Sequence, residues 1–133
     1  MTNCMLPSVS RAESYDSAVW HDAASLAGVR FAVARMSFGR RQELVRKIRE
    51  IGRKAEFLAA GSEVKDKLEG AALAGDVDRA YLDWGLVAVE GLTIDGEAAT
   101  PETLIEKGPV GLTLEVLSRV KAECGLSEDE RKN

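Results

Sequence analysis

This 133-residue chain is poor in the residues that usually carry chemistry. It holds one histidine, His21, and two cysteines, Cys4 and Cys124. No Cys-x-x-Cys pair and no Cys/His spacing occurs, which excludes a zinc motif and a disulfide framework. The two cysteines lie near opposite ends and nothing marks secretion. They read as a reduced cytosolic pair, with a single bridge between the ends as the alternative. Aromatic residues make up only 5% of the chain, so aliphatic side chains must fill the core. No apolar run approaches the roughly 18–20 residues that cross a bilayer. The opening MTNCMLPSVS lacks the basic-then-apolar order of a signal peptide. The glycines form neither G-x-G-x-x-G nor a P-loop, and no internal repeat is visible.

What is present is 45% apolar and 30% charged residues with a net charge of -4. That composition suits one soluble domain with exposed helices. The acidic balance argues against nucleic acid as the main partner.

The elements are legible from spacing. Residues 1–27 read as a weakly ordered arm, within which 17–26 (Val19, Trp20, Ala23, Leu26) suggest a short helix with Trp20 as a packing anchor. In 28–36, Val29, Phe31 and Val33 alternate with Arg30, Ala32 and Ala34, a half-buried strand. Ser37 stands as N-cap to a helix over 38–60, with Leu44, Ile48, Ile51, Ala55 and Leu58 on one face and Gly61 as its stop. Its other faces are basic, Arg46, Arg49 and Arg53 among them. A second helix over 63–84 carries mainly acids outside an apolar face that ends on Tyr81 and Trp84. A basic helix joined briefly to an acidic one predicts an antiparallel helical hairpin.

The stretch 81–109, YLDWGLVAVEGLTIDGEAATPETLIEKGP, organises the rest. Gly85 suits a left-handed helix cap. Asp95-Gly96 is a strong two-residue hairpin signal. Thr100, Pro101 and Glu102 read as N-cap, first helical position and first-turn acid of a helix over 101–107. A last amphipathic helix follows over 109–123, with Leu112, Val116, Leu117, Val120 and Cys124 as its stripe. Gly125-Leu126 fits a stop in which Leu126 folds back, and Ser127 to Glu130 matches a capping box. The predicted class is mainly α with a small β component (α+β): helical hairpin, short β-hairpin, C-terminal amphipathic helix. The predicted organisation is the arm 1–27, one α-rich domain 28–126 and a charged tail 127–133.

No catalytic, cofactor or metal site is placed by any motif. His21 beside Asp22 reads as an ordinary surface histidine, and the many carboxylates form no pair suited to acid–base work. A non-enzymatic protein is expected. Two surfaces are candidates for contact with other proteins. One is the apolar edge of Tyr81, Trp84 and Leu86 with the final segment Leu117, Val120 and Leu126. The other is the basic face of Arg46, Arg49 and Arg53. For both, the plainer reading is core packing or a solvated face.

Trp84, the VEGL segment, the DG turn with TPE behind it, the last helix and the terminal LSEDERKN together resemble small tail assembly chaperones of long-tailed bacteriophages and prophages. The strand VRFAVARM and the Ser-capped helix after it are similar to that group's fold. The likeness spans about residues 28–133; the first 27 find no counterpart. The resemblance implies a non-enzymatic protein of the host cytoplasm. Such a protein binds the helical, poorly soluble tape measure protein and helps tail tube protein polymerise around it. It also implies a short form beside a longer frameshifted one. Self-association into a homo-oligomer is left open. The alternatives are a structural virion subunit, such as a head–tail connector or tail completion protein, and a nucleic-acid-binding adaptor using the basic helix.

Overall fold

Phe31 lies at the centre of the molecule with no exposed surface, and the chain is wrapped on the strand that carries it. The computed structural model describes residues 12–59 and 64–125. In chain order these form β1 (Ala18–Asp22), β2 (Arg30–Ala34), α1 (Phe38–Ala59), α2 (Val64–Gly85), β3 (Leu86–Glu90), β4 (Thr93–Ile94), β5 (Glu97–Ala98), α3 (Pro101–Lys107) and α4 (Val110–Glu123). The architecture is α+β, as the patterning predicts.

Strands β1, β2 and β3 make an antiparallel sheet in that order, with β2 in the middle. Phe31 stands between His21 and Val89, and Val33 between Val19 and Leu86. One row over, Arg30 lies between Asp22 and Glu90 and forms ion pairs with both, at 3.3 and 3.5 Å. Between Ala32 and Val33 the β2–β3 register shifts, leaving Val87 bulged and half exposed.

The helix expected over 17–26 is replaced by β1. Its five residues alternate and pair along β2 from Ala18↔Ala34 to Asp22↔Arg30. Too short to form a stable helix alone, the segment gains a full ladder as an edge strand instead. Residues 18–22 therefore belong to the folded sheet, not to an arm. Trp20 is not a core anchor; it is 39% exposed, with the Arg30 guanidinium 4.9 Å over its ring. The loop behind β1 is fastened by Glu115 of α4. Its carboxylate accepts hydrogen bonds from the backbone N–H groups of Ala24 and Ser25 and from the Ser25 hydroxyl, at 2.7–2.9 Å.

Ser37 caps α1 as expected: its Oγ accepts from the Arg40 N–H at 3.2 Å. Helices α1 and α2 pack together along more of their length than any other pair of elements. Arg40, in the first turn of α1, donates to the carbonyl of Trp84 at the end of α2. That contact joins opposite ends of the two sequences and makes the hairpin antiparallel. It also satisfies a carbonyl that a helix C-terminus leaves without a partner.

The stop at Gly85 works differently from expectation. Gly85 has no positive φ and ends α2 where the chain passes directly into β3. Its missing side chain is used by α4, because a Cβ there would lie 2.5 Å from Val120 Cγ1. The Asp95-Gly96 turn is as predicted. Both central residues have positive φ, 53° and 82°, the mark of a tight hairpin matched to strand twist. Its strands are only two residues each and form their own ribbon; the apolar run before them joins the larger sheet as β3. Thr100 caps α3, exchanging bonds with Thr103 in a reciprocal box, with Pro101 behind it.

Helix α4 buries the predicted stripe: Leu112, Val116, Leu117, Val120 and Cys124 are all in the core with Phe31, Val33, Leu44, Leu82, Trp84 and Leu104. Each such side chain contributes about 1.5–3 kcal/mol by leaving water. The predicted cap at Gly61, the fold-back of Leu126, the capping box from Ser127 and Cys4 lie outside the described residues.

Candidate functional site

Helix α1 is a two-sided element. Its first apolar row, Leu44, Ile48 and Ile51, steps by four and three and is buried or half-buried toward α2. Beside that row runs a second line, Arg41, Val45, Arg49, Gly52, Arg53 and Glu56. Together with Leu44 and Ile48 it forms one wall of an open groove of about 490 Å³. Met36 comes from the segment between β2 and α1, Tyr81 from α2, and Cys124 from the end of α4. Three elements that are remote in sequence thus meet along one side of the basic helix. On the far side of α1 a smaller cleft of about 330 Å³ runs against α2, lined by Lys47, Glu50, Ile51, Asp76, Arg79, Ala80 and Asp83, and it is largely charged.

The groove has an apolar floor and a cationic rim. Met36, Ile48 and Tyr81 are half-buried, and Val45 is 45% exposed although nothing polar is attached to it. Arg41, Arg49 and Arg53 stand along the rim with Glu56 as the one acid. Among the described residues, no carboxylate pairs with any arginine or lysine of α1. Elsewhere cations are held: Lys121 by Asp78 at 3.0 Å, Lys107 by Asp95 at 2.9 Å, and Arg79 by Glu106 and Asp83. Among the described acids of α2, Asp78 turns to α4 and Asp83 to Arg79 of its own helix. The Arg40 guanidinium lies over the ring of Trp84, 4.7 Å from its centroid.

At the floor, burial pushes the Cys124 thiol up from its ordinary pKa, partly opposed by the nearby Arg41 guanidinium. It is a buried free thiol of low reactivity. The Lys121 ammonium lies over the Tyr81 ring, 5.5 Å from its centroid.

The structure divides the residues that spacing singled out. Tyr81 lines the groove, and so do Arg49 and Arg53; Arg46 is exposed but stands outside the lining. Trp84, Leu86, Leu117 and Val120 are not contact surface. They are 4%, 5%, 7% and 0% exposed, packed against one another and the sheet, so no partner reaches them in this conformation. Leu126 lies outside the described residues. Met36 and Val45 were not anticipated, whereas Arg41 belongs to the basic face and Cys124 to the final apolar segment read from the sequence. Val45 carried a signal: it is an apolar residue one step off the inward stripe, and it widens the apolar arc beyond what α2 covers.

His21 packs on Phe31, ring centroids 5.6 Å apart. Burial, then the Arg119 charge, holds its pKa below the ordinary 6.5. Among the described residues no three His, Cys, Asp or Glu side chains cluster to hold a metal ion. Nor is any helix among them long and apolar enough to cross a membrane. Compared with protein-family models, curated proteins and solved structures, the chain finds no match.

An apolar trough running beside a helix, flanked by fixed charges, is suited to receiving a second helix.

Proposed function

We propose that this protein is a binding protein of the tail assembly chaperone type. On this reading it holds an aggregation-prone helical client, the tape measure protein, in the host cytoplasm while tail tube protein polymerises around it. The observation that carries this reading is the groove: Val45, Ile48, Met36 and Tyr81 present apolar surface along a helix whose arginines no described carboxylate neutralises. The order of elements in 81–125 and the residues that resemble such chaperones support the client's identity. A modest groove gives weak single contacts, and many copies along one long client gain avidity. The net charge of -4 favours solubility of a coated client.

The test is co-expression with a tape measure protein encoded beside this chain. The soluble fraction of the client is expected to rise severalfold with this protein present. An unchanged soluble fraction contradicts the proposal.

A further inference from the structure

The rim of the groove is more selective than shielding requires. Apolar surface alone would cover any greasy helix, yet Arg41, Arg49 and Arg53 are set along one wall with only Glu56 among them. At 1.5 Å per residue these arginines stand about 12 Å and then about 6 Å apart along the axis. We infer that the occupant is an amphipathic helix of another protein, flanked on one side by carboxylates at matching intervals of about one and two turns. Its apolar ridge lies against Val45, Ile48 and Tyr81, and its acids meet the three guanidiniums. The floor supplies affinity; the rim sets orientation and rejects helices flanked by lysine or arginine.

Charge complementarity selects this occupant over a second copy of the chain. Two copies meeting through α1 would set arginine against arginine. The occupancy rests on the chaperone reading for its biological client, but its chemistry is testable without any phage protein.

Two labelled helical peptides make the test, with the same Leu/Ile ridge and flanks of glutamate in one and lysine in the other. Fluorescence anisotropy with the full chain is expected to give at least roughly tenfold tighter binding of the glutamate peptide, weakening as salt rises. R41E/R49E/R53E is expected to reverse that preference, and Val45→Asp to weaken both peptides. The altered positions are exposed, and the reversal itself shows that the variant is folded. Equal binding of the two peptides, or glutamate-peptide binding untouched by R41E/R49E/R53E, overturns the inference. So does glutamate-peptide binding seen only in E128Q/D129N/E130Q, which would give the groove to the chain's own acidic end. A dimer dispersed by R41E/R49E/R53E would give it to a second copy and overturn the inference equally. If the peptides fail while client solubility still rises, the client binds another surface and the chaperone role stands. If the peptides behave as expected and client solubility is unchanged, the groove stands and the chaperone role falls.

Discussion

Gly85 lies directly beneath Val120. The side chain of Val120 occupies the space where any other residue at position 85 would carry its Cβ, 2.5 Å from Val120 Cγ1. The end of α2, the start of β3 and the last turns of α4 meet at this point, so the contact sets how closely the helical hairpin sits on the core.

Gly85→Ala is therefore expected to destabilise the fold by about 1–3 kcal/mol through overpacking, despite alanine's better helix propensity. Chemical denaturation reads this as a lower midpoint. Val120→Ala in the same background is expected to recover part of the loss, because it vacates the contested space. Additive losses would contradict the contact.

Glu115 makes the β1–β2 loop sensitive to acid. Burial alone would raise its pKa, but the bonds from Ala24 and Ser25 outweigh burial and hold it below the ordinary 4.5. A depressed carboxylate contributes stability that is complete above that ordinary value. The contribution is lost as pH falls through the lower folded value. Glu115→Gln keeps the shape but turns an amide N–H toward a backbone donor, at a cost of about 1–2 kcal/mol near neutrality. Its stability is expected to fall less than the parent's below pH 4.5. Parallel curves would contradict the assignment.

Cys124 reports on the groove floor. In a Cys4→Ser background its thiol is expected to react with a disulfide reagent roughly tenfold or more slowly than in denaturant, since it is buried and its thiolate is scarce. A bound glutamate-flanked peptide is expected to slow labelling further. Fast labelling indifferent to the peptide would contradict Cys124's place in the groove.

The long helices, the Asp95-Gly96 turn and the Thr100 cap were legible because each is specified locally, by a stripe, a dipeptide or a hydroxyl at the right spacing. Strand β1 was not. Its five residues become a strand only through the ladder that β2 offers, and that partner is invisible in the residues themselves. The residues that line the groove were half legible. A stripe ending on Trp84 and Leu86, or running through Leu117 and Val120, shows which side is apolar. It does not show whether the protein's own core covers it, and here the core does. Of the basic face, Arg49 and Arg53 line the groove and Arg46 does not. Val45 and Met36 escaped because their importance lies in standing next to Tyr81 and Cys124, from distant parts of the chain.

The most direct test places a photocrosslinker at position 45, as Val45→p-benzoylphenylalanine, in cells co-expressing the tape measure protein. Val110, 73% exposed on α4, serves as a more accessible comparison. The account predicts an adduct with the client from position 45 and none from position 110. Capture from position 110 alone, or equally from both, would contradict it.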